Sequence, residues 1–283
     1  MMTLRRIQDP RSMAHVTVAC VILLTIFLIS PSTAFLAARA ARQAQVRVPA
    51  LCHDSEEELL TTLRVEVGGE VGAVSLYAPV SRVTRWPAGD LWPSGRALAR
   101  HLCARPEEVA GLRVLEVGTG LGLVSLCCAE LGAREVIASD VDAVAVALVL
   151  QSHADHGIGG GGDVCGATVN WSRGWRAAAA EVGAVDVVVA SDVLYEASKG
   201  PSLACFLSEF LDETPRGVAL VMNPLVGRGQ DGRDGLVATA AALGVRTEAE
   251  SFVDPVAPVP PPPARHNMEL LRLTKAVAPT QSD

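Results

Sequence analysis

The apolar positions of this chain switch repeatedly between two periods, and each switch marks an expected element. Residues 63–67 and 73–77 alternate apolar and polar on either side of Gly68-Gly69, as two strands of a hairpin do. Residues 54–63 before them read as a short helix. Beyond Leu91 the spacing becomes helical, with Pro93 near the start and apolar residues at 98, 102 and 103. Leu112, Val114, Leu115 and Val117 then form a run rich in β-formers. Gly118-Thr119-Gly120-Leu121-Gly122 breaks it, and helical spacing resumes through Leu123, Leu126, Cys127 and Glu130. Further strands are expected over 135–139, 164–169, 185–190, 218–222, 245–252 and 268–273, and helices over 141–156, 201–211 and 235–243. The run 185–190 is almost wholly apolar, as a central parallel strand should be. A glycine tract at 159–162 and a proline tract at 255–263 read as loops. This alternation predicts a Rossmann-like, doubly wound α/β sheet of seven strands, mostly parallel. The last strand follows a loop with no room for a crossover helix, so it should run antiparallel. The 63–77 hairpin is an N-terminal extension.

Composition changes the picture mainly at the N-terminus. Arg5, Arg6 and Arg11 precede an apolar run at 16–29, and small residues from Ser30 to Ala34 follow. That is the layout of a signal peptide, here over residues 1–34. The apolar run is shorter than the roughly 20 residues a spanning helix needs; the alternative is the secretory pathway or an anchor through 16–29. Residues 35–53 carry Phe35, Arg39, Arg42 and Arg47 and no acid, which is transit-peptide chemistry. Signal and transit segments joined at a Phe resemble the bipartite leader of secondary plastids, so a plastid is the expected location. Residues 54–283 are left for the domain, with an extension at 54–90 and a core at 91–275. The formal charge of −7 gives no support to nucleic-acid binding. Only Lys199 and Lys275 are lysine among 24 basic residues, which reads as compositional bias. The seven cysteines show no C-x-x-C spacing, so buried free thiols in a reducing compartment are expected, with no metal site.

The glycine turn carries the first chemistry. Gly118, Gly120 and Gly122 allow a sharp turn without Cβ atoms against a ligand, and the following helix offers unpaired N–H groups. Asp140 ends the next strand about twenty residues on, where an acid can accept both ribose hydroxyls. A dinucleotide fingerprint would place its third glycine at position 123, which is Leu. The spacing is instead E-x-G-x-G-x-G with Glu116 at the strand end. An acid there repels a pyrophosphate but suits the α-ammonium of S-adenosylmethionine. On these residues the chain resembles the class I, seven-strand S-adenosylmethionine-dependent methyltransferases.

Two further motifs narrow the resemblance. L-W-P-S-G-x-x-L-A-x-x-L from Leu91 and D-V-L-Y-E from Asp192 are similar to segments of the protein-lysine methyltransferases related to the valosin-containing-protein and elongation-factor enzymes (methyltransferase family 16-like). The resemblance covers roughly residues 90–225. It implies Asp192 and Tyr195 as catalytic-site positions beside the transferred methyl. It implies cofactor contacts from Trp92, Glu116, Gly118, Thr119, Gly120, Gly122, Asp140, Asn170, Trp171 and Ser191. Asn170 stands where many relatives carry an acid. Trp86 and Trp175 have no assignment, and His153 and His156 are expected on a solvated helix face. The implied function is methyl transfer from S-adenosylmethionine to a lysine of a protein substrate, with no nucleic acid and no stable membrane association after leader cleavage. The alternatives are a small-molecule or other-side-chain methyltransferase, a nicotinamide-nucleotide enzyme, and a non-catalytic interaction protein.

Overall fold

Strand β3 (Arg113–Val117) is the axis of the molecule, because its side chains alternate between two apolar layers. Leu115 and Val117 face a cluster with Val188, Ala190, Phe206, Leu207 and Phe210. Val114 faces the opposite cluster, with Val187, Val189, Leu98, Leu102, Val124 and Cys128. Burial of each such aliphatic or aromatic side chain contributes about 1.5–3 kcal/mol. This is the computed structural model of the chain, and it describes residues 60–79, 87–156, 162–172, 175–213, 217–227, 229–253 and 267–275. The expected leader, residues 54–59, Trp86, the proline tract and most of the glycine tract lie outside the described residues.

The chain runs through the hairpin β1 (Leu60–Gly68) and β2 (Gly72–Pro79), then α1 (Pro93–Ala104), β3, α2 (Leu123–Glu130), β4 (Glu135–Asp140), α3 (Ala143–His156) and β5 (Asp163–Thr168). It continues through α4 (Trp175–Val182), β6 (Val187–Ser191), α5 (Lys199–Glu213), β7 (Val218–Pro224), α6 (Gln230–Ala242), β8 (Val245–Val253) and β9 (Asn267–Lys275). The seven-stranded sheet has the order β5-β4-β3-β6-β7-β9-β8. Pairing is parallel from β5 through β7. As its short approach predicted, β9 is antiparallel, and it is inserted between β7 and β8. Among the described residues no helix is long and apolar enough to cross a membrane.

The hairpin forms a separate two-stranded sheet. Val65, Val67, Val74 and Leu76 pack on Cys103 of α1, on Leu123, Leu126 and Cys127 of α2, and on Val149 of α3. This packing corrects two expectations. Residues 60–63 are strand, because Leu60 to Leu63 pair with Leu76 to Pro79 across the hairpin. His153 and His156 are half-buried rather than fully solvated, and β2 covers α3 at Ser152 and His156. The Tyr77 N–H donates to Ser152 Oγ at 2.9 Å, and the Tyr77 and His156 rings lie 4.9 Å apart. His153 Nδ1 and His156 Nε2 are buried without a hydrogen-bond partner, and burial lowers the pKa of His153. Helix α4 has no counterpart among the expected elements. Cys103, Cys127, Cys128, Cys165 and Cys205 form no disulfide, and the first three are buried as expected.

Candidate active site

Strand order sets the location of the site. From β3 the chain crosses to β4 on one side, and from β6 it crosses to β7 on the other. The loops after β3 and β6 therefore part and open a crevice at the strands' carboxyl ends, where open α/β sheets bind ligands. The glycine turn and the D-V-L-Y segment are those two loops.

The turn is held from beneath by Glu116, which is 1% exposed. Its Oε2 accepts from Thr119 Oγ1 at 2.7 Å, from the Ser125 N–H at 2.9 Å, and from the Ser125 hydroxyl. One buried carboxylate thus ties the strand end to the turn and to the first turn of α2. Burial pushes its pKa up to about 7, against the opposing pull of the Ser125 and Thr119 hydrogen bonds. The N–H groups of Gly118 and Thr119 donate to the Ser139 carbonyl at 2.9 and 2.8 Å, fastening the turn to β4. Gly118 and Gly122 have φ of 74° and 85°, in the left-handed region that favours glycine. A Cβ at 118 would stand 2.8 Å from Val193 Cγ1, and one at 122 would enter the Val149 side chain.

Asp140 borders the turn from the end of β4. Its Oδ2 accepts from the Gly120 N–H at 3.1 Å and its Oδ1 from the Asp142 N–H at 3.0 Å. Burial raises its pKa, while those two N–H groups oppose the rise. The Val141 N–H also favours the charged form, and three donors on four lone-pair sites leave acceptor capacity for a further donor. Trp92 is the half-buried N-cap of α1, and its carbonyl accepts from the Gly95 N–H at 3.1 Å. Ser191 closes β6, and a Cβ on Gly95 would lie 3.4 Å from its Oγ, so the start of α1 abuts the end of β6. After β5, Asn170 is exposed and its Oδ1 accepts from the Ser172 N–H at 3.1 Å, forming the turn that carries half-buried Trp171. Trp175 begins α4.

Asp192 is the single non-glycine residue with positive φ, 56°, among the described residues. Strain of that kind costs on the order of 1–3 kcal/mol and clusters at functional sites. Here it bends the chain out of β6, with the Asp192 N–H held by the Met222 carbonyl at 3.0 Å. Asp192 is 8% exposed and Tyr195 is 45% exposed, so the acid lies within the crevice wall and the ring at its mouth. Val193 between them is the residue that packs on Gly118. The structure therefore brings Glu116, Gly118, Thr119, Gly120, Asp140, Ser191, Asp192 and Tyr195 to one edge of the sheet. Ser125, Val193 and Lys199 belong to the same assembly and were not anticipated. A groove of about 460 Å³ between β1, α1 and β8, with Glu66, Arg100 and Phe252 in its walls, contains none of these residues.

A sheet of this order, with a glycine turn and an acid at adjoining strand ends, is the class I methyltransferase fold. Residues 83–224 match the model of the lysine methyltransferase family, and the chain belongs to that family. Its cofactor is S-adenosylmethionine. The residues present fit that group: the turn around Gly118 has no room for Cβ atoms, and Asp140 keeps acceptor capacity beside it. The chain is 38% identical over 69 residues to the electron transfer flavoprotein beta subunit lysine methyltransferase of Rattus norvegicus, covering 23% of this chain and 27% of that protein. It is 28% identical over 169 residues to the protein-lysine N-methyltransferase EFM3 of Chaetomium thermophilum, covering 58% of this chain and 50% of that one. The chain thus spans between about a quarter and a half of these relatives. The crystal structure of SMU.776 complexed with SAH superposes with a TM-score of 0.53 at 11% identity, over 79% of this chain and 57% of that one, and shares the fold.

Proposed function

We propose that this chain transfers a methyl group from S-adenosylmethionine to the side-chain amine of a lysine in another protein. The observation that carries the proposal is the packing of Val193, inside the Asp192–Tyr195 motif, onto Gly118 of the turn. It sets an acid and an aromatic ring beside the glycine turn at the switch point of the sheet. When bound, S-adenosylmethionine supplies an electrophilic sulfonium methyl. Glu116 acts by holding the turn, Asp140 takes the ribose hydroxyls, and Trp92, Thr119, Asn170, Trp171 and Ser191 complete the cofactor side.

The target amine enters past Tyr195. A free lysine has a pKa of about 10.4, so it must lose a proton before it can attack. Asp192 orients the incoming ammonium and Tyr195 keeps the amine in line, since alignment provides most of the help in such a displacement. The relatives named as lysine methyltransferases support a lysine target. The proposal is tested by incubating the chain with isotopically labelled S-adenosylmethionine and cell extract and identifying the labelled species by mass spectrometry. Heavy methyl on protein lysine supports it, and label confined to small molecules or to another side chain replaces it.

We also propose that residues 1–53 form a cleavable leader to a plastid, on the basic, apolar and small-residue order of 1–34 and the acid-free stretch after it. N-terminal sequencing of protein from its native cell tests this, and a chain that begins at Met1 or Met2 in the cytosol refutes it.

A further inference from the structure

The chain contains two lysines, and one of them, Lys199, sits at the mouth of the site just described. Its Nζ lies 5.4 Å from the Trp171 ring centroid and 5.8 Å from that of Tyr195. Both are within the roughly 6 Å over which a ring attracts a cation. Its Nζ also donates to Ser172 Oγ at 3.4 Å. Three segments converge on this one ammonium: the turn after β5, the motif after β6, and the start of α5. Arginine supplies the rest of the chain's basic residues, yet an ammonium group lies within reach of both rings.

We propose that Trp171 and Tyr195 form an ammonium-binding cage, and that Lys199 fills it as a resident competitor which a target lysine must displace. The inference rests on the reading of Tyr195 as the residue that meets the target amine, places Trp171 on the border between that amine and the cofactor side, and extends the reading to the basis of selectivity. A lysine ammonium is a compact point charge on a flexible stem, so it can leave the rings without breaking the bidentate contacts an arginine would make. Exposed cation–ring contacts are individually weak, and the Tyr195 ring is open to solvent. A lysine presented by a docked protein acts at a high effective concentration and can displace Lys199, whereas a dilute free amine cannot. The resident ammonium therefore biases the site towards protein-borne lysine.

The test needs no cofactor, so its failure is distinguishable from failure of the methyltransfer reading. The full chain is treated with an acetylating N-hydroxysuccinimide ester while tetramethylammonium, which cannot be acetylated, is titrated. Modification of Lys199 is measured by mass spectrometry, with Lys275 as internal control. The expected result is a saturable, several-fold rise in the Lys199 rate with the Lys275 rate unchanged. In Trp171→Ala and Tyr195→Ala the Lys199 rate should be high from the start and insensitive to the probe. Tetramethylammonium binding, followed by calorimetry, should tighten several-fold in Lys199→Ala and not in Lys199→Arg. A wild-type Lys199 rate independent of tetramethylammonium, or equal affinity in the parent and Lys199→Ala, would overturn the proposal.

Discussion

Glu116 is the buried charge on which the glycine turn depends, and its titration can be predicted with sign and size. Two effects compete there: loss of water favours the neutral acid, while donors from Thr119 and Ser125 favour the carboxylate. Burial is the larger, so the folded pKa rises from 4.5 to about 7. Between those two pH values the folded chain keeps a proton that the unfolded chain has lost, so stability falls as pH rises. Below pH 4.5 both states are protonated and above pH 7 the loss is complete. A shift of this size corresponds to about 3 kcal/mol, or roughly 6–12 °C in melting temperature for a domain of this size. Glu116→Gln keeps the shape and the acceptor oxygen but cannot ionise. Melting curves of parent and variant from pH 5 to pH 8 should therefore diverge, the parent losing stability that the variant keeps. Asp140 is also shifted upward by burial, and its charge contributes to the rise at Glu116, so removing the Glu116 charge removes that repulsion too and the divergence reads the pair. Curves that stay parallel across this range would mean that the three donors outweigh burial.

The other predictions separate binding from transfer. Asp140→Ala should weaken S-adenosylmethionine about ten- to a hundredfold by calorimetry, since a hydrogen bond to a charged group is worth about 1.5–3 kcal/mol; unchanged affinity would remove Asp140 from the site. Gly118→Ala puts a Cβ 2.8 Å from Val193 Cγ1 at a φ of 74°. It should lower stability by about 1–3 kcal/mol in urea unfolding and weaken cofactor binding as well, and a neutral effect on both would show that the turn and the Asp192 segment are not coupled. Asp192→Asn tolerates the left-handed backbone but removes the charge, so it should slow transfer by on the order of a hundredfold, about 2.7 kcal/mol, with cofactor affinity nearly intact. Tyr195→Phe should cost less than Tyr195→Ala if the ring matters more than the hydroxyl, and near-parent rates in both Asp192→Asn and Tyr195→Ala would misplace the active site.

Legibility in the sequence followed physical contrast. The strands were readable because parallel strands buried on both faces are continuous apolar runs, as Val187–Ser191 is. The turn was readable because three glycines at alternate positions break such a run. Helix α4 was missed because it is only eight residues long, and the contact of His156 with Tyr77 depends on a hairpin distant in sequence. The location of β9 between β7 and β8 is likewise a long-range outcome. At the site, residue identity pointed to Asp140, Asp192 and Tyr195, but contact partners could not be read. Glu116 was expected to face the ligand, and the engagement of its Oε2 by Thr119 and Ser125 is a second role that the sequence did not show. Lys199 looked like compositional bias until the fold brought Trp171 and Tyr195 around it.

The central claim is that the Asp192–Tyr195 motif directs a methyl group onto a protein lysine. Its most direct test is to incubate the parent chain and Asp192→Asn side by side with deuteromethyl S-adenosylmethionine and cell extract, and to map the label by peptide mass spectrometry. The account predicts heavy methyl on the Nζ of lysine in one or a few proteins with the parent, and at least a hundredfold less with the variant although both bind the cofactor. Label appearing equally with both chains, or only on nucleic acid, small molecules or residues other than lysine, would contradict it.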